Sequence, residues 1–407
     1  MRLSAINNYM TAVKINILLS LFFTTLPLCA QKDWSLKGRI EAMPVISYNN
    51  QTIQDLTTSQ KNPITYGEIN NRLDFQWYPT NTWTFHLGIR NNLNGGDLLH
   101  TFNTKTNKSY NKFLSEDNGY LNLTHRWINN NDYTFYSTID RLQLTNVCGN
   151  LTTTLGRQRI NWGISEVWQP NDIFNSYNYF DFNYPEHAGS DAIRLQYYTG
   201  ATSSIDIAYK INRQNQSTYA LRYKSMIDSY DWQVLAGIMN QQYSTLGLGW
   251  SGNLADAGLT GEITYFHPLH SDEGQETLLA SVSSNYLFTN QFLLSASVLF
   301  NTAGTTHSAR NNRLMYQNDI TALDYTRSIM ECMARFSYPV TPLFTVSCAT
   351  IINPFDYSNY LSPSVEYSTS NNTSLMLLGQ FFSGKKDSEY GNYGQGIYLR
   401  FTWNFFM

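Results

Sequence analysis

Leu155-Gly-Arg-Gln-Arg-Ile-Asn-Trp-Gly163 opens a stretch that closes on Gly189-Ser-Asp-Ala-Ile-Arg-Leu-Gln-Tyr-Tyr198. Both ends read as alternating strands, and roughly 25 to 30 residues of loop lie between them, far beyond hairpin length. The loop carries Trp168, Phe174, Tyr177, Tyr179, Phe180, Phe182 and Tyr184, too heavy an aromatic load for a disordered segment. Such a loop needs a surface to pack on. In a chain of alternating strands with a membrane-type pattern, that surface is the inside of a barrel.

Composition points the same way. Of 407 residues, 15% are aromatic, with 29 Tyr, and only 14% are charged, whereas soluble domains run near about a quarter charged. Mean hydropathy is nevertheless −0.36, and beyond the N-terminus no apolar run is long enough for a helical span. A chain rich in aromatics, poor in charge and polar on average fits a transmembrane β-barrel, whose strands show lipid only every second residue.

At the N-terminus, Lys14 precedes the apolar run Ile15 to Leu28, and Ala30 offers a small residue before Gln31. This predicts a secretory signal peptide over 1–30 and a mature barrel over 31–407. Met10 offers a second start, and the bulky Leu28 argues against lipidation of Cys29. Cys148, Cys332 and Cys348 then remain, an odd number without metal-like spacing, which implies neither a disulfide framework nor a zinc site.

Along the chain, Trp34 to Tyr48 sets Lys37, Arg39 and Glu41 against Trp34, Leu36, Ile40 and Ala42, lumen face against lipid face. Tyr66 to Trp77 and Thr82 to Asn92 repeat the pattern around a turn at Pro79-Thr80-Asn81, and Asn92 to Asp117 reads as a long polar loop. In Tyr133 to Thr145 the phase slips at Asp140-Arg141, which predicts a β-bulge. Leu155 and Ile160 share a face only if a second bulge lies near Gly156. Beyond Gly200, short turns alternate with longer loops, as at the two ends of an outer-membrane barrel. The pattern yields about nineteen candidate strands, whereas a single-chain bacterial barrel takes an even number. Counting from the two chain ends gives opposite sidedness for the long loop, which puts the error before residue 160. The expectation is a single all-β antiparallel barrel of about eighteen strands, within a range of sixteen to twenty, with Gly163 to Ala188 folded into its lumen.

Several motifs dissolve on inspection. Gly247-Leu-Gly249-Trp-Ser-Gly252 spells a dinucleotide fingerprint, but a turn follows it where a helix should open. Gly379 to Gly384-Lys385-Lys386 lacks the Ser or Thr of a P-loop. His267, His270, Ser271 and Asp272 cluster as a solvated polar loop would, and no His spacing suits a metal. No catalytic residue, metal or cofactor is expected, and no nucleic-acid partner.

Charge layout says more. Strand positions carry mainly bases, among them Arg39, Arg72, Arg90, Arg157, Arg194, Lys210, Arg222 and Arg335, although the formal net charge is −3. A basic wall favours anions. The same bases could equally serve as structural rungs paired with Glu41, Glu68, Asp74, Asp206, Glu262 and Glu331.

Gly156-Arg157-Gln158, then Trp162-Gly163, Pro170, Asp172, Phe174-Asn175, Pro185, Gly189, Asp191 and Arg194, resembles a family of porin-like outer-membrane barrels that includes uncharacterised barrels and alginate-export-type channels. The motif covers about forty residues, and elsewhere only the barrel rhythm and the Ile139-Asp140-Arg141 step preceding the motif look similar. The resemblance implies a pore narrowed by the loop, with Arg157, Gln158, Asp172 and Arg194 near the constriction, and Arg159 lies beside them in the sequence. The expected function is an outer-membrane channel for passive or weakly selective diffusion of small hydrophilic, and by its basic wall anionic, solutes. The rival is a closed structural barrel whose loops bind a partner or surface polymer. The expected surroundings are outer-membrane lipid and the barrel-assembly machinery, which would recognise the aromatic final strand ending Phe401-Thr-Trp-Asn-Phe-Phe406-Met407.

Overall fold

A computed structural model describes residues 33–48, 62–106, 109–177, 179–180, 189–270, 274–307 and 320–406. The expected leader over 1–30 lies outside them. Nineteen strands form one sheet: β1 (Trp34–Tyr48), β2 (Ile64–Thr80), β3 (Trp83–Gly95), β4 (Thr124–Asn129), β5 (Tyr133–Cys148), β6 (Leu151–Gln158), β7 (Ser190–Tyr198), β8 (Ser204–Ile211), β9 (Ser217–Ile227) and β10 (Tyr230–Met239). The sheet continues through β11 (Tyr243–Leu254), β12 (Ala257–Pro268), β13 (Thr277–Leu287), β14 (Leu293–Asn301), β15 (Met330–Thr341), β16 (Phe344–Ile352), β17 (Asn359–Ser370), β18 (Thr373–Ser383) and β19 (Gln395–Phe406).

Each strand pairs antiparallel with its neighbours, and β19 closes on β1 from Lys37 opposite Phe406 to Tyr48 opposite Gln395. Among the described residues β4 pairs with β5 alone, while β3 pairs with β5 directly. With β4 set aside, eighteen of the nineteen strands form the closed ring. The surplus strand lies before residue 160, where the two counts diverged. It does not widen the ring. One half of β5 is flanked by β4 on the side where its other half is flanked by β6, so β4 continues the row that β6 leaves at Gln158.

The phase slip in β5 is a bulge: Gly88 faces Arg141 and Ile89 faces Ile139, leaving Asp140 as the extra residue. The expected bulge near Gly156 is not needed. There β6 keeps unbroken register with β5 and β7 and ends at Gln158, so Ile160 belongs to the loop. The segment from Asn92 to Asp117, read as a polar loop, also holds two helices, α1 (Asp97–Lys105) and α2 (Tyr110–Leu114). Their Leu99, Phe102 and Tyr110 pack on Ile64.

Period-2 alternation sorts the strands beyond β7 into two faces. Ile207, Leu221, Val234, Leu246, Val282, Val298, Leu377 and Leu399 are exposed, while Asp206, Gln233, Thr245, Glu262, Ser281 and Ser297 are buried. The polar face is covered and the apolar face is bare, the reverse of a soluble sheet and the arrangement lipid demands. A one-residue slip of register would exchange the faces, so the pattern itself pins the register.

The two largest apolar clusters lie inside the ring. One joins Ile160, Trp162, Ile173 and Phe174 of the loop to Ala192, Ala208 and Ala220 on β7, β8 and β9, and onward to Leu235, Met239 and Phe266. Successive alanines lower the wall where the loop lies on it. The other joins Val167 and Trp168 to Leu299, Met333, Ile351, Tyr360 and Phe382. Trp162 is fully buried, and covering a side chain of that size contributes about 2–3 kcal/mol.

Candidate functional site: the lumen loop and its socket

After β6 the chain turns inward and is fastened to the wall at several points. Gln233 of β10 donates to the Trp162 carbonyl at 2.7 Å, and the Trp162 ring meets Phe174 edge-on at 4.9 Å. The Arg222 guanidinium lies 5.1 Å from the centre of the same ring. Lys210 donates to the Phe174 carbonyl. Asn175 receives the Ile160 N–H at 3.0 Å and donates to Ser190 at 3.0 Å, closing the loop's base.

The densest fastening is on β11 and β12. The Glu262 carboxylate accepts the backbone N–H groups of Ile164, of Ser165 at 2.6 Å and of Asn171 at 2.8 Å. The Asn171 side chain donates to the Leu248 carbonyl at 3.1 Å and accepts from Thr264 at 2.7 Å. Gly247 and Gly249 make room for it. A Cβ on Gly247 would stand 2.4 Å from the Asn171 Oδ1, and one on Gly249 2.8 Å from its Nδ2. The spurious dinucleotide motif is thus a notch in the lumen wall. Two glycines two residues apart on one strand share a face, and that repeat was the available signal.

Further round the ring, Arg335 of β15 pairs with Glu166 at 2.6 Å, and Tyr325 donates to the Gln169 carbonyl at 3.2 Å. Phe180 sits among Tyr360, Phe382 and Tyr390 at 5.0 to 6.0 Å. The described part of the loop therefore lies within the lumen, fastened from β7 round to β18. Residues 178 and 181–188 of the predicted segment lie outside the described residues.

The predicted site residues fall in different places. Arg157 shares strand parity with the outward-facing Leu151 and Leu155. Its guanidinium donates to Asp191 at 2.8 and 2.9 Å, to Asp117 at 2.8 Å, and to the carbonyls of Ile139 and Leu121 at 3.1 and 2.5 Å. These partners fill the seam where β6 ends and the row of β4 begins. Every N–H of the group is used. Gln158 is buried and donates to the carbonyls of Thr154 and Ala192.

Arg159, Asp172 and Arg194 belong to the lumen side. Arg159 is half-buried and, among the described residues, has no ion pair, though it acts on Asp172 and Tyr177 at longer range. Burial pushes the Asp172 carboxyl up to about 6, opposed by the Asn175 N–H and by Lys210 and Arg159. Arg194 forks onto Asp206 at 2.8 and 2.7 Å, and Arg222 reaches the same carboxylate at 2.6 Å.

Several of the strand bases are paired with acids. Arg39 pairs with Glu41 at 3.6 Å, Arg72 with Asp74 at 2.6 Å, and Arg90 lies 3.8 Å from Glu68. Asp206, however, serves two guanidinium groups. Glu262 is spent on the loop backbone and Glu331 on Thr326 and Tyr390. Positive charge therefore predominates along β7 to β9, where Arg194, Lys210 and Arg222 sit. In the polar loop considered earlier, His267 pairs with Glu276 at 2.9 Å, and Ser271 and Asp272 lie outside the described residues.

A closed, even-stranded antiparallel ring, apolar outside and polar inside with a long loop packed in its lumen, belongs to the class of outer-membrane β-barrels. No family and no curated protein matches the sequence. Solved structures do match. OccAB3 of Acinetobacter baumannii superposes with a TM-score of 0.59 at 10% identity, over 92% of this chain and 100% of that one. OccK11 (OpdR) of Pseudomonas aeruginosa gives 0.55 at 11% identity, over 92% and 96%. The outer membrane protein OprD of the same organism gives 0.55 at 9%, over 92% and 94%. At such identities the likeness is one of fold.

Proposed function

We propose that the chain is an outer-membrane channel through which small hydrophilic solutes diffuse passively or with weak selectivity. The observation that carries this reading is the loop fastened inside a closed ring whose outer face is apolar. A barrel that served only as an anchor would gain nothing from a lumen wall notched to receive a narrowing loop. Three solved barrels of similar fold are described as outer-membrane or Occ proteins, which supports the same membrane for this one. In this reading residues 1–30 are a cleaved export signal and 31–407 the mature barrel. The aromatic face of β19 is the feature the assembly machinery would recognise. The finer resemblance to alginate-export-type channels rests on the Gly156-Arg157-Gln158 and Trp162-Gly163 motif alone.

The solute path carries a bias toward anions. Arg159 and Arg194 are its first contacts, Asp172 moderates them, and Arg157 and Gln158 hold the loop's entry and exit in place. Two guanidinium groups on one carboxylate leave an excess of positive charge on that wall, and surrounding protein and lipid weaken its screening. Purified protein in planar bilayers should give stepwise conductance in potassium chloride. Silence from correctly folded, inserted protein would favour the closed structural barrel instead.

A further inference from the structure

We propose that Glu262 is the positioning residue for the constricting loop: by holding the backbone of Ile164 to Asn171 against β11 and β12, it sets the cross-section of the lumen. This rests on the channel reading above.

The argument is one of hydrogen-bond geometry. A loop that leaves its strand and lies along a wall brings unpaired N–H groups with it, and buried N–H groups must find acceptors. Ile164, Ser165 and Asn171 all find theirs in the two oxygens of one carboxylate. No neutral side chain can reproduce this. A glutamine at the same place would present an NH₂ to one of these N–H groups, donor against donor. The carboxylate reaches the loop because β11 is cut back beside it, and Gly247 and Gly249 let Asn171 lie close enough to bond Leu248 and Thr264. Socket and loop are thus complementary in both shape and polarity. Glu166, exposed in the same segment, is paired with Arg335 across the lumen face, so displacing the segment moves a charged group within the solute path.

Removing the Glu262 charge could alter ion flow without moving the loop, and the test separates the two. Glu262→Gln breaks the fastening and removes the charge. Gly247→Ala and Gly249→Ala disturb the same segment through Asn171 and leave every charge in place. Amide hydrogen exchange of the peptide covering 163–172 reads loop fastening in detergent or nanodiscs without any channel activity. Exchange should quicken about ten-fold or more in Glu262→Gln and in at least one glycine variant, while strand peptides such as 277–287 stay protected. In bilayers the same variants should show open-channel conductance raised about two-fold with added flicker, as a loosened constriction gives. Unchanged exchange in both kinds of variant overturns the proposal, and so does faster exchange with wild-type conductance in a conducting channel. If the wild type does not conduct at all while exchange still depends on Glu262 and the glycines, the fastening stands and the channel reading falls. A conductance change confined to Glu262→Gln, with exchange unaltered, assigns its effect to charge and removes the positioning role.

Discussion

A guanidinium sealed in a wall seam and one shared across a carboxylate do different work. Arg157 is spent on two aspartates and two carbonyls, so Arg157→Ala would leave the buried Asp117 and the half-buried Asp191 without their shared cation. Breaking a buried pair from one side costs about 3–5 kcal/mol, and the variant's folded band on unheated gels should melt at a clearly lower temperature than wild type, with little change in ion selectivity of the protein that does insert. Arg194 is the converse case. Because Arg222 also holds Asp206, Arg194→Ala should leave the fold intact and lower the anion-to-cation permeability ratio, read as a reversal potential across a salt gradient. Arg194→Lys should weaken discrimination too, since an ammonium cannot fork onto a carboxylate. A cation-selective wild type would defeat the anion bias outright. Asp172 adds a dependence on pH. With its carboxyl titrating at about 6, it is charged above that pH and neutral below, so lowering pH from neutrality removes a negative charge beside Arg159 and Lys210. Anion preference should therefore rise as pH falls from 7.5 to 5, and Asp172→Asn should show the acidic value throughout. The opposite trend would place the titrating group elsewhere.

At the level of the element, the loop after β6 was the most legible part of the sequence. Its length and aromatic load required an apolar surface, and Trp162, Phe174 and Phe180 each find one inside the ring. Its fastening was not legible, because three of the bonds holding it are made by backbone N–H groups, which carry no side-chain signature. Glu262 accordingly looked like one acid among several, and Gly247 and Gly249 like a failed motif. The partners of Arg157 were not legible for a related reason. The motif placed it near the loop, as it is, but gave no sign that Asp117, forty positions earlier, would take up its N–H groups. Deleting Trp168 to Tyr184 takes out most of the segment between β6 and β7 and should raise single-channel conductance several-fold, since a wide barrel without its constriction conducts as an open pore. Unchanged conductance from a folded, inserted variant would mean that the narrowing lies elsewhere.

For the whole molecule, alternation was enough to give the barrel and the bulge at Asp140. The pattern offers nineteen strands for a ring of eighteen because β4 reads locally as a strand of its own, while its place in the row of β6 depends on pairings with β5 that no local pattern encodes. The apolar outside has a direct test. Val282, exposed on β13, should tolerate Leu or Ile freely, whereas Val282→Arg puts a charge into lipid at a cost of about 2–4 kcal/mol near the midplane; equal yields of folded barrel from both variants would contradict the assigned face. The notch that seats the loop bears on descent as well as on mechanism. A ring that asks only for apolar residues at one parity and tolerable ones at the other constrains almost no position to a single amino acid, and this chain can share its fold with OccAB3 at 10% identity. The seating of the loop asks more of the sequence, in one segment and in the few wall residues that receive it. Lineages could thus recast what passes through while the container is handed down unaltered, provided that the loop and its seat change together.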